Sequence, residues 1–152
     1  MPPIVVLDTN VWVSAFLNPY GFPATLLRSW TDGAFQVAIS APLMEELDRV
    51  LSRPRLMLKY GYDHADLQEY LERIISRAKR ITVVAEVAPV RDPKDTAVIE
   101  TAIRGGALFL VSRDEDLTRD PQLAGYLAAR GVSVMTVARF HQYLAEFPPQ
   151  PT

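Results

Sequence analysis

Four short, largely apolar runs constrain this chain most: IVVL at residues 4–7, FQVAIS at 35–40, ALFLVS at 107–112 and VSVMTV at 132–137. A strand with one wet face alternates apolar and polar residues, whereas a strand covered on both faces does not. Between these runs lie stretches with helical spacing. TNVWVSAFL carries Val13, Phe16 and Leu17, and a further stretch runs from Ala24 to Trp30. APLMEELDRVLSR has Pro42 in its first turn, His64 to Arg80 is helical in pattern, and Pro121 to Arg130 closes on Gly131. Residues 81–84 suit either a strand or an extended connection, and Gly105-Gly106 reads as a helix stop. Strands separated by helices of this length require right-handed crossovers. The expected fold is therefore α/β, a three-layer α/β/α sandwich around a central, mainly parallel sheet. Residues 1–147 are expected to form one domain, and the proline-rich PPQPT at 148–152 a disordered tail.

Composition removes several function classes. The 152 residues include no cysteine, which excludes disulfides and thiolate metal sites. No apolar run approaches the length of a membrane span, and the first residues have no basic leader pattern, so a cytoplasmic address is expected. The net charge of −2 argues against a cationic nucleic-acid binder, although a local basic face or a metal can still recruit an anion.

The acids are then tested by position. Ligand sites in open α/β sheets lie at the carboxyl ends of the strands. Asp8 ends the first run and Asp114 follows the third, so both should emerge at that rim. Either could simply cap a helix. At roughly 100° per residue, Glu46 lies about a right angle from the apolar face of Leu43, Leu47, Val50 and Leu51. It either reaches a pocket or snorkels at the edge, while Glu45 points to solvent. Asp95 projects onto the middle of the face made by Val98, Ile99, Ala102 and Ile103. A carboxylate there needs a hydrogen-bonding partner or a cation. Asp92 precedes Pro93 and reads as an N-cap, which puts Asp95 at the third helical position, where a return bond to the backbone is the competing role. A control lies in the same chain: Arg119-Asp120-Pro121 repeats Arg91-Asp92-Pro93, but has Leu123 where the first copy has Asp95.

Unless they serve only as caps or edge charges, Asp8, Glu46, Asp95 and Asp114 are expected to converge on one rim. An oxygen-only donor set without a nearby histidine suits hard cations, Mg²⁺ or Mn²⁺, rather than zinc. One or two such ions are suited to phosphodiester hydrolysis.

VVLDTNVWVSAF, ISAPLMEEL, RDPKDTAVIETA and LVSRDEDL, in this order, resemble the acidic motifs of the PIN-domain ribonucleases, which include VapC-type toxins of toxin-antitoxin pairs. The resemblance covers nearly the whole chain. It implies that Asp8, Glu46, Asp95 and Asp114 are catalytic metal-binding acids, with Asp116 either joining them or capping a turn. Thr9, Asn10, Ser40 and Ser112 match polar positions that orient carboxylates or substrate. It further implies an RNA substrate, a small antitoxin protein as partner and a homodimer.

Arg49, Arg53, Arg55 and Lys59 either contact RNA phosphates or form a solvated face. Arg73, Arg77 and Arg80 read as solvated, Trp12, Phe16, Phe35 and Phe109 as core, and His64 and His141 suggest no role. A haloacid-dehalogenase-type phosphatase needs an aspartate at the position of Asn10, and a phosphate-receiver domain needs a paired acid at the first strand. The alternative within the resemblance is a catalytically weak PIN-like module that binds RNA or protein.

Overall fold

A computed structural model of the chain describes residues 2–84 and 95–148. Strand β1 (Ile4–Leu7) runs into Asp8, whose Oδ1 accepts the Thr9 N–H at 2.8 Å and starts α1 (Thr9–Leu17). Helix α2 (Phe22–Thr31) opens with Pro23 and leads to β2 (Gln36–Ile39). Ser40 and Pro42 then start α3 (Ala41–Leu51). A short α4 (Pro54–Tyr60) ends on Gly61 at φ 68°, a left-handed conformation that a side chain would strain. The reciprocal bonds of Asp63 and Asp66 begin α5 (His64–Arg77), followed by β3 (Lys79–Arg80).

Next comes α6 (Thr96–Arg104). It stops as expected at Gly105, where a Cβ would lie 2.7 Å from the Thr101 carbonyl, and at Gly106, which has φ 66°. Strand β4 (Phe109–Val111), helices α7 (Glu115–Thr118) and α8 (Pro121–Ala128), strand β5 (Ser133–Met135) and helix α9 (Val137–Glu146) complete the order.

The strands pair in the order β3-β2-β1-β4-β5, and every pairing is parallel. Alternate side chains of one strand enter different cores, which is why the runs are apolar throughout. Val5 and Leu7 pack with Trp12, Trp30, Leu47 and Phe140 on one face. Val6 packs with Val98, Ile99, Leu110 and Leu123 on the other. Each fully buried side chain of this size contributes roughly 1.5–3 kcal/mol. The result is the expected α/β/α sandwich. Trp12, Phe35 and Phe109 are buried, and Phe16 packs on Tyr62 and Tyr70, so all four serve the core.

The structure corrects some boundaries. The helix begun at His64 stops at Arg77 instead of running to Arg80, because Lys79 and Arg80 pair with Ala38 and Ile39 at the sheet edge. Residues 81–84 form no strand, although the Ile81 N–H still reaches the Ile39 carbonyl at 2.7 Å. The Asp92 cap and the 149–152 part of the tail lie outside the described residues. Among the described residues no helix is long and apolar enough to cross a membrane.

Candidate active site

Parallel register places the carboxyl ends of the central strands side by side. Leu7 is opposite Val111, and one residue further the Asp8 N–H donates to the Val111 carbonyl at 2.9 Å. Ser112 continues from β4 in the same way, donating its N–H to the Met135 carbonyl at 3.1 Å. Asp8 and Ser112 are therefore neighbours, and the Ser112 hydroxyl donates to Asp8 Oδ2 at 2.7 Å.

That hydroxyl has a single proton and two acceptor positions. It accepts the Asp114 N–H at 3.0 Å and Asn10 Nδ2 at 3.3 Å, so its proton is left for Asp8. Asn10 in turn accepts the Arg113 N–H at 3.0 Å through its Oδ1. Thr9 donates from Oγ1 to Glu46 Oε2 at 2.9 Å and so fixes the acid of α3 against the start of α1. Asp114 is held by the Asp116 N–H, which donates to its Oδ1 at 2.9 Å. Helical φ and ψ at Asp95 place it directly ahead of α6, and its side chain takes no capping bond.

Asp8, Glu46, Asp95 and Asp114 line one cleft of about 320 Å³, together with Thr9, Asn10, Val13, Ser14 and Val50. Asp8 is the most enclosed of the four. Burial pushes its carboxyl pKa above the ordinary value, and the charges of Glu46 and Asp114 add to this, while the Ser112 and Thr9 bonds oppose it. Among the described residues no group of three or more acids or histidines is gathered closely enough to hold an ion. Glu46 is turned onto Thr9 and Asp114 onto the Asp116 amide. The donor chemistry nevertheless fits Mg²⁺ or Mn²⁺, because Mg²⁺ usually takes only one or two carboxylates and keeps several waters. A cation beside Asp8 would also offset the repulsion that Glu46 and Asp114 impose on it.

The other anticipated residues are placed differently. Ser40 is buried and donates to Thr101 Oγ1 at 2.7 Å, since the Thr101 proton goes to the Ala97 carbonyl. It therefore ties the start of α3, the helix of Glu46, to α6, the helix that Asp95 precedes. Asp116 is exposed and contributes its backbone N–H to Asp114; its carboxylate does not line the cleft. Arg49, Arg53, Arg55 and Lys59 are exposed at the turn from α3 into α4 and do not line it either.

Two features escape a reading of the sequence motifs. Ser14 lines the cleft from α1, one helical turn after Asn10, and the Arg113 guanidinium donates to its hydroxyl. Glu100 is a buried carboxylate paired with Arg104 at 2.8 Å, and its spacing, four residues before Arg104, is the signal that could have revealed it.

Comparison with known proteins agrees with this architecture. A chain of VapBC2 from Rickettsia felis, crystallised with a DNA fragment from its promoter, is 18% identical, with a TM-score of 0.53 over 88% of this chain and 98% of its own. A PilT N-terminus domain protein from Sulfolobus solfataricus P2 is 10% identical, with a TM-score of 0.50 over 98% of this chain and 99% of its own. No curated protein sequence matches. The sequence model of the PIN domain matches residues 4–116, from β1 into α7, a span that holds all four acids of the cleft, and the chain therefore belongs to the PIN domain family.

Proposed function

We propose that this chain is a Mg²⁺- or Mn²⁺-dependent endoribonuclease and the toxin component of a toxin-antitoxin pair. The observation that carries this reading is the meeting of Asp8, Glu46, Asp95 and Asp114 in one cleft at the carboxyl ends of parallel strands. Family membership and the likeness to VapBC2 support it. When bound, one or two divalent ions would supply the polarised phosphate and the activated water that hydrolysis of a P–O bond requires. The chain's own part is to fix the donors. Ser112 orients Asp8, Thr9 orients Glu46, and the Asp116 amide orients Asp114. The Ser40–Thr101 bond ties the start of α3, which carries Glu46, to α6, which follows Asp95.

The spacing of the acids favours one second reading, a PIN-like module that binds without cutting. An RNA cleavage assay decides between them. Cleavage in Mg²⁺ or Mn²⁺ that stops with EDTA and returns on adding metal supports the nuclease, whereas cleavage indifferent to EDTA, or none at all, sinks it. The toxin role has its own test: growth arrest on expression, relieved by a small neighbouring protein. A homodimer is expected by light scattering.

Two further outcomes follow from the site. Ser112→Ala removes the proton donor of Asp8 and the acceptor of the Asp114 amide, so a loss of about 1–3 kcal/mol is expected in denaturant unfolding. RNA cleavage should fall about 10–100-fold, as when a partner of a metal ligand is removed. Unchanged values for both would show that the network does not matter.

The second outcome concerns pH. The folded pKa of Asp8 is raised above its unfolded value, so its contribution to stability is present below the unfolded pKa and lost as pH rises through the folded one. Above its raised pKa the metal-free fold therefore carries a disfavoured charge that a cation offsets. Saturating Mn²⁺ at about 100 times Kd adds about 2.7 kcal/mol, roughly 5–10 °C in Tm for a chain of this size. The increment should shrink as pH falls from the alkaline to the acid side of the raised pKa, because ligands must be ionised to bind metal. Thermal melts with and without Mn²⁺ at both ends of that range check it, and an increment independent of pH contradicts it.

A further inference from the structure

The acidic cleft is not the only hollow at this rim. Ser14 lines it on one side and also lines a second hollow of about 490 Å³, walled by Phe22 of α2, Tyr60 of α4 and the Ser112-Arg113 corner after β4. Of the exposed aromatic rings, Phe22 (60%) and Tyr60 (45%) line this hollow, whereas Tyr20 and Phe147 do not. The Phe22 ring rests against His141, with centroids 5.3 Å apart, and Lys59 Nζ lies 5.3 Å from the Tyr60 ring centre. The Arg113 guanidinium donates to Ser14, which sets a positive charge at the divide between the two hollows. Further along the same wall Arg119 is paired with Glu115 at 3.5 Å, so its charge is largely answered within the chain.

We propose that the second hollow is a base-stacking subsite for an unpaired nucleotide next to the scissile phosphate. This inference rests on the nuclease reading. The order of chemistry along the rim matches a single strand of RNA: carboxylates for a metal-held phosphate, a guanidinium for the adjoining phosphate, then two exposed rings for a base. Stacking of bases on aromatic side chains is tolerant of sequence and needs the base out of a duplex. The volume lies within the range of small-ligand pockets. A protein segment would be the other occupant, but an arginine at the boundary with an acid-lined cleft suits alternating phosphates and bases better than a continuous apolar face.

The test is steady-state cleavage of a fluorescein-labelled single-stranded RNA oligonucleotide of mixed sequence, and of the same strand annealed to its complement. Phe22→Leu and Tyr60→Leu are expected to raise KM about tenfold with kcat within about twofold, and Phe22→Trp, which keeps a ring face, to restore KM. The annealed strand should be cut poorly. Both positions are exposed, and thermal melts check that the variants fold. If the wild type cuts no RNA, the nuclease reading and the subsite fall together. If it cuts RNA but the leucine variants keep their KM, or the tryptophan variant behaves like the leucine one, the subsite alone falls. Variants that cut normally but no longer bind a co-expressed protein partner would make the hollow a protein-docking site and overturn the proposal.

Discussion

Asp95→Leu should leave the protein folded and reduce metal-dependent RNA cleavage by at least about a hundredfold, the upper end of what removing a mere partner of a metal ligand costs. Asp95 is half-buried on the wall of the acidic cleft, at the start of a helix whose next turns put Val98 and Ile99 into the core. It is half-buried at the cleft wall and not among the core side chains, so replacing it should change stability by only about 1 kcal/mol. Asp95→Asn, which keeps size and loses charge, should share the catalytic loss. Cleavage rates in Mn²⁺, set beside thermal melts of each variant, measure both halves. A leucine variant that cuts RNA at the normal rate would remove Asp95 from the site, and one that fails to fold would make it structural.

The mirror substitution, Leu123→Asp, has the opposite outcome. Leu123 holds the place after Arg119-Asp120-Pro121 that Asp95 holds after Arg91-Asp92-Pro93, but it is only 2% exposed and packs with Val6, Val98, Leu110 and Leu127. Truncating a buried leucine costs about 2–5 kcal/mol, and an unpaired buried carboxylate adds several more. Together these approach the whole stability of a typical domain, about 5–15 kcal/mol. Insoluble expression or loss of the cooperative melt is expected. A soluble variant melting within a few degrees of the parent would contradict the burial argument.

The same pair of residues shows what was legible in the sequence. The sequence pattern predicts the third helical position for Asp95, but α6 begins at Thr96 with Asp95 directly before it. It lines the cleft all the same, as do Asp8 and Asp114, which the apolar runs bring to the carboxyl ends of the strands. Strand β3 could not be read, because two charged residues at a sheet edge have no apolar pattern. Helices α4 and α7 span too few residues to show a helical period, and α9 is a further helix that the apolar runs do not announce. The role of Ser40 was hidden for another reason. It lies where a polar residue was anticipated to steer a carboxylate, yet its partner is Thr101, 61 positions away, and no local spacing encodes such a contact. Helical phase alone leaves Glu46 between edge and pocket, and the hydroxyl that holds it, that of Thr9, comes from 37 positions away.

The pairing of Val5 with Phe109 and the bond from Ser112 to Asp8, 104 positions apart, also determine when the cleft can exist. A chain emerging from the ribosome presents its amino-terminal part first, and contacts so distant in sequence are slow to close. The first strand therefore waits, with only one of its two neighbours, until β4 has been made. A nascent or prematurely released chain that lacks β4 cannot assemble Asp8, Ser112 and Asp114. If the protein cuts RNA, the message being translated is shielded from its own product until synthesis has passed β4 and Asp114.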